Sequence, residues 1–278
     1  MHPAAVVALV ASLLLAGCSG LGPVNPDPTV TPAPVPADDP AVPGFEGTLP
    51  AGVEPSGVTD TRALGRAHAE ELSGRSYTLE LVEARARDSH ALPVVRHEES
   101  VRVRRPGLYR HDSVVRRAWL GHGLDREERT AVYADGTTRY VRTVENGTAR
   151  YERGTVARWR NWSGTHAQQA GRAVGRYLDV TNATLSTVDR DGKRLLRVRG
   201  RGSRTVEGER YRVEAHLDGA FVVWLEARWV EPREDEDVFV RVTMTYDRVD
   251  ATTVAPPGWY GEALRATEGG GDEANASS

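Results

Sequence analysis

A single lysine, three phenylalanines, two methionines and one cysteine are all that 278 residues hold of those types. One cysteine excludes an internal disulfide framework and any thiolate-based zinc site, because both need cysteines in multiples. Stability must come from packing. The net charge of -3, with no run of basic residues, argues against a dedicated nucleic-acid binder. Catalytic motifs are missing as well. There is no Gly-x-Ser-x-Gly elbow and no phosphate-cradling glycine loop beyond the lone Gly200-Arg201-Gly202. His97-Glu98-Glu99-Ser100 lacks the second histidine that a zincin helix needs four residues after the first. These absences lead to the expectation of a non-enzyme with no cofactor and no metal.

Nor is there an apolar run long enough to cross a hydrocarbon core, which takes roughly 20 helical residues. The longest, Ala4 to Ala16, reads as the apolar part of an export signal over residues 1–17. The residues that follow, Leu15-Ala16-Gly17-Cys18, resemble the lipobox of secreted lipoproteins, in which the cysteine is lipidated and begins the mature chain. That resemblance implies anchoring through Cys18 to the outer face of the cell membrane. The n-region, Met1-His2-Pro3, departs from the pattern in carrying no lysine or arginine, which leaves the export route open.

Ten of the sixteen prolines fall between Ser19 and Val58, together with five acids and no base. Such composition buries too little apolar surface to fold, so residues 18–58 are expected to form an extended acidic tether. A tail is expected over 266–278, where three glycines are followed by acids. The eight acids of these two ends leave 31 of the 39 in the body, against all 36 bases, a formal charge of +5. That charge suits attraction to an anionic surface. It equally suits a solvated face whose arginine stems cover apolar neighbours.

The body, 59–265, reads as one β-rich domain. Leu64, Ala67, His68 and Leu72 form one stripe of a helix over 60–73. A second helix is predicted over about 163–177, its small residues permitting close approach. Most of the remainder alternates as strands, with turn signals at Asp135-Gly136, Asn146-Gly147, Asp191-Gly192 and Asp218-Gly219. About ten or eleven antiparallel strands with two helices placed in this order predict an α+β fold: one curved, open half-barrel sheet whose concave face the helices cover.

Two stretches carry a family resemblance. Val58-Thr59-Asp60, Leu64, Ala67-His68, Leu72 and Ser76-Tyr77-Thr78-Leu79 resemble the opening of haloarchaeal cell-surface lipoproteins. The ending, with Asp218-Gly219, Tyr246, Val254, Pro256-Pro257 and Trp259, is similar to theirs too. That family resembles in turn the LolA/LppX type of lipoprotein carrier, which implies a half-barrel holding acyl chains between sheet and helices.

The candidate ligand face is therefore the apolar side of the last strands: Phe221, Val223, Leu225 and Trp229 with Val238, Val240, Val242, Met244 and Tyr246. Those residues either line a pocket for a lipid or isoprenoid or form an ordinary core, and only a cavity separates the two. His68 is expected to be a core histidine donating to a backbone carbonyl. The other body histidines, at 90, 97, 111, 122, 166 and 216, lack metal-ligand spacing. The acidic loop 231–237 offers oxygen ligands to a cation but needs none when solvated. Asn146, Asn161 and Asn182 head glycosylation sequons, as does Asn275 in the tail. Two functions remain open: a monomeric, lipid-anchored carrier of a hydrophobic ligand, and an envelope interaction module binding surface-layer protein or glycan with no pocket.

Overall fold

The computed structural model describes residues 42–87, 93–118, 125–234 and 236–268. The chain divides into units 1–39 and 40–278, and every described residue lies in the second. The lipobox, Cys18, the first half of the expected tether, most of the tail, His90, His122 and Asn275 fall outside the described residues.

A ribbon of two short strands, β1 (Val53–Glu54) and β2 (Gly57–Val58), leads into α1 (Thr61–Leu72). The main sheet then starts in its own middle. Strands β3 (Tyr77–Ala86), β4 (Val95–Arg105), β5 (Leu108–Ala118), β6 (Asp125–Asp135), β7 (Thr138–Glu145) and β8 (Thr148–Thr155) meander outward to one edge. Helices α2 (Val156–Ser163) and α3 (His166–Tyr177) carry the chain across to the opposite edge. From there β9 (Val180–Arg190), β10 (Lys193–Ser203), β11 (Glu209–Asp218), β12 (Phe221–Glu231) and β13 (Val238–Asp247) return, and β13 pairs with β3. The result is an open antiparallel sheet of eleven strands, with β8 and β9 as its edges. A last helix, α4 (Tyr260–Glu268), follows.

Local chemistry accounts for the boundaries. Asp60 caps α1 by accepting from the Ala63 N–H at 2.9 Å. Thr165 and Gln168 form a reciprocal capping box on α3, which separates it from α2. Asn146-Gly147 and Asp191-Gly192 all have positive φ, the mirror-image turn that suits a twisted hairpin. At the other hairpin Asp218 already pairs with Phe221, so the turn is Gly219-Ala220 and not Asp218-Gly219.

One face of the sheet is covered by α1, α2 and α3. On it Leu64, His68 and Leu72 of α1 and Ala170, Val174 and Tyr177 of α3 join the core with Leu225, Ala227, Trp229, Val240, Val242 and Met244. Each such aliphatic side chain removed from water contributes about 1.5–3 kcal/mol. The two long helices cross at glycine. A β-carbon on Gly171 would lie 2.2 Å from the Gly65 carbonyl oxygen, and one on Gly65 2.4 Å from that of Gly171, so the backbones touch.

Three sequence expectations need correction. Residues 42–58 are not tether: Val42 and Val53 are buried in the core and Phe45, Leu49 and Val58 pack against it, alongside β9. Averaged composition hid these spaced apolar residues among the prolines. Two helices were also unforeseen. Among the described side chains of α2, Val156 is buried and Trp159 partly so, and eight residues are too few for a helical period to be read. The helix α4 covers the opposite face of the sheet, where Tyr260 meets Tyr133 and Tyr140 at ring separations of 5.0 and 5.1 Å and Ala263 is fully buried. It runs three residues into the expected tail.

On β4 to β6 that outer face carries a ladder of charges. Arg116 bridges Glu98 and Glu127 at 2.6 and 2.9 Å, while Arg96 and Arg129 extend the ladder at its two ends. Exposed pairs of this kind add little to stability, because water and salt screen them.

Candidate functional site

The face proposed from sequence as a ligand surface is occupied by protein. Phe221, Leu225, Trp229, Val240, Val242 and Met244 are buried, and Val223, Val238 and Tyr246 are half-buried against the same core. Strict alternation fails at the start of β12. A register shift opposite His216 and Leu217 turns Val222 inward, fully buried, where the sequence pattern places Val223.

His68 sits at the centre of this packing. Its Nδ1 accepts the Val222 N–H at 3.1 Å and its Nε2 donates to the Tyr246 hydroxyl at 2.8 Å. The Ala220 carbonyl bonds the ring as well, so the expected backbone carbonyl contact is present alongside those to Val222 and Tyr246. It stacks on Phe221 at 5.6 Å. Burial lowers its pKa to about 4, with the Ala220 carbonyl opposing. This histidine is structural.

A hollow lies elsewhere on the same face, where α2 crosses the first half of the sheet. It is a cavity of about 60 Å³ walled by Leu72, Tyr77, Val103, Tyr109, Trp159 and His166. The rings of Tyr109, Trp159 and His166 pack together at 4.6–5.3 Å. Beside them is a polar group that no single stretch of sequence reveals. Tyr109, His111, Arg139 and His166 gather there, Tyr109 being 2% and His166 7% exposed; His166 Nε2 is buried without a hydrogen-bond partner, Tyr109 bonds the Arg139 guanidinium, and His111 Nε2 faces Glu99. Burial pushes the Tyr109 hydroxyl pKa up. Burial, with His111 adding to it, lowers the His166 pKa to about 3. The Arg139 guanidinium lies 5.6 Å over the Trp159 indole.

Further along the strands, His111 and His97 approach Glu99 at 3.4 and 3.3 Å and hold its carboxyl below the usual carboxylate range. His97 Nε2 also meets Ser113 Oγ at 2.9 Å. This is not a hydrolase relay. Serine and carboxylate contact the same ring nitrogen, whereas a triad places them on opposite nitrogens. The hairpin register explains how the group assembles. Pairing of Val103 with Tyr109 puts His97, Glu99, His111 and Ser113 on one face of β4 and β5. That register, read across Pro106-Gly107, was the sequence signal available.

The other sequence candidates stay apart. Asn146, Asn161 and Asn182 are exposed in the β7–β8 turn, on α2 and on β9. Of the acidic loop, Glu231, Glu236 and Asp237 pair with Arg85, Arg87 and Arg210 at 2.9–3.1 Å. Among the described residues no group of acids, histidines or cysteines has the geometry to hold a metal, and no helix is long and apolar enough to cross a membrane.

No family model and no curated protein matches the chain. Two solved structures align loosely. LprF from Mycobacterium bovis is 12% identical over 71% of this chain and 96% of its own, with a TM-score of 0.38. A DUF1329 family protein from Desulfovibrio piger is 10% identical over 72% and 95%, with a TM-score of 0.20. At such scores neither likeness carries a fold or a function across.

Proposed function

We propose that the chain is a non-enzymatic surface lipoprotein, anchored by lipid on Cys18 to the outer face of the membrane, that binds a hydrophobic ligand beneath α2. In this reading the sheet is a half-barrel of the LolA/LppX type, and the ligand is a lipid or isoprenoid. The observation that supports it is the aromatic-walled cavity of about 60 Å³ under a short helix. The face over β11 to β13 does not serve, because α1 and α3 already fill it. Ligand pockets are usually about 300–1,000 Å³, so binding requires α2 to swing off the sheet. Among the described side chains of α2, Val156 is buried and Trp159 is partly covered. Two acyl chains on Cys18 would keep such a carrier on the membrane.

The test is native mass spectrometry of the protein purified from its host. A co-purifying lipid that is lost on Trp159→Ala supports the reading, and bare protein overturns it. The same spectra show whether Asn146, Asn161 and Asn182 carry glycans.

One observation favours the envelope interaction module instead. Along the solvent side of α1 and α3 runs an open groove of about 860 Å³, lined by Arg62, Arg66, Arg172 and Arg176 as well as Asp60 and Asp179. An acidic glycan or surface-layer protein suits such a groove. Crosslinking in intact cells separates the two, since a monomeric carrier needs no stable partner there.

A further inference from the structure

The polar group beside the α2 cavity is costly as it stands. Burying a donor or acceptor without a partner costs about 1–3 kcal/mol, and buried polar atoms in folded proteins are almost always paired. Here His166 Nε2 is buried without a partner, and beside it stand Tyr109 and Arg139, bonded to each other, and His111, whose Nε2 reaches Glu99 at 3.4 Å. They come from β5, β7 and the first turn of α3, and two of their side chains, Tyr109 and His166, also wall the apolar cavity. Arg139 makes no ion pair among the described residues; it meets the Trp159 ring and the Tyr109 hydroxyl. The one nearby carboxylate, Glu99, is already approached by His97 and His111. Gln169 engages the His166 ring but leaves Nε2 free.

A guanidinium with no ion pair among the described residues, beside a phenol and a neutral imidazole that wall an apolar hollow, asks for an oxygen that accepts hydrogen bonds and carries negative charge. We propose that Tyr109, Arg139 and His166 recognise the anionic head of an amphiphile, a carboxylate or a phosphate, whose chain lies in the cavity beneath α2. Arg139 supplies the charge and a directed N–H, Tyr109 an O–H, and His166 Nε2 the third contact. The position of the three groups fixes which end of the ligand enters. This rests on the carrier reading above and adds the identity of the head.

The experiment uses the full chain stripped of lipid and titrated, below their micelle concentrations, with four probes sharing one dodecyl chain: dodecanoate, dodecyl phosphate, dodecanol and dodecyltrimethylammonium. Binding is read by calorimetry. The two anions should bind at least about tenfold more tightly than dodecanol, with the cation weakest. The ratio of dodecanoate to dodecyl phosphate then decides between a fatty-acid and a phospholipid type of head. Arg139→Gln should erase the preference for anions while leaving dodecanol affinity within about twofold. Tyr109→Phe, which removes one oxygen and keeps the ring, should reduce anion affinity alone. Equal binding of all four probes, or an anion preference that survives Arg139→Gln, overturns the head assignment but leaves the carrier standing. No binding of any probe overturns both.

Discussion

Gly171→Ala should destabilise the protein although alanine is the better helix former. In isolation the exchange favours the helix by about 1 kcal/mol. Within the fold, the new β-carbon would sit 2.2 Å from the Gly65 carbonyl oxygen and 3.0 Å from the Ala69 β-carbon. Ordinary carbon contacts lie at about 3.5–4.0 Å, so α1 and α3 would have to separate by roughly 1 Å or more. The obstacle is backbone, and no rotamer relieves it. Overpacking of this kind costs about 1–3 kcal/mol, sometimes more. The separation also loosens Leu64, His68 and Val174 from the core they complete. A net loss of about 1–2 kcal/mol corresponds to a Tm lower by roughly 2–8 °C for a domain of this size. Gly261→Ala in α4 is the control. There the nearest atom to a new β-carbon is the mobile end of Arg265 at 3.6 Å, so the propensity gain should appear as a slightly higher Tm. Thermal and urea melts followed by circular dichroism measure both. Should Gly171→Ala melt at or above the parent temperature, α1 and α3 do not touch at these glycines and the packing argument fails.

Acid should weaken the fold before its carboxylates titrate. His68 and His166 have folded pKa values of about 4 and about 3 against an ordinary 6.5, so between those limits the unfolded chain binds more protons than the folded one. Their contribution is complete above pH 6.5 and is lost as the pH falls toward 4, roughly 2–3 kcal/mol for His68 alone. Glu98 and Glu99, held below their ordinary 4.5, add to the loss only beneath that pH. His68→Gln keeps an acceptor for Val222 and a donor for Tyr246, so urea melts should show a flatter pH slope; an unchanged slope would place the proton uptake elsewhere. Tyr246→Phe strands the buried His68 Nε2–H and should cost about 1–3 kcal/mol in the same assay. Arg116→Gln cuts two solvent-exposed outer-face ion pairs and should leave the urea midpoint almost unchanged, with any shift erased by salt.

What could be read from the sequence followed from simple periods. Leu64, His68 and Leu72 recur at helical spacing and are buried as a stripe; Val240, Val242 and Met244 recur at strand spacing and share one face. The eleven strands lie in one open antiparallel sheet, as the turn signals implied. Where a local irregularity intervenes, the period misleads, as at the β12 bulge that exchanges Val223 for Val222. Where an element is short or its apolar content thin, no period exists to read, as in α2 and the 42–58 segment. The candidate site was illegible for a different reason. Tyr109, Arg139 and His166 lie far apart in sequence, and their convergence depends on the β4–β7 registers and on where the capping box starts α3.

The contrast between the two histidine environments bears on function. His68 and His166 are buried to a similar degree, and burial lowers the pKa of each. Both nitrogens of His68 are satisfied from within the fold, by Val222 and Tyr246, as expected of a residue whose task is packing. His166 keeps one nitrogen open, beside a tyrosine and an arginine that bond each other, the arginine making no ion pair among the described residues. Selection for stability alone would favour a partner or an apolar residue at each of these positions, since either removes a cost of about 1–3 kcal/mol. Unmet hydrogen-bonding capacity gathered at the edge of an apolar hollow is therefore better explained by a ligand that completes it than by imperfect packing.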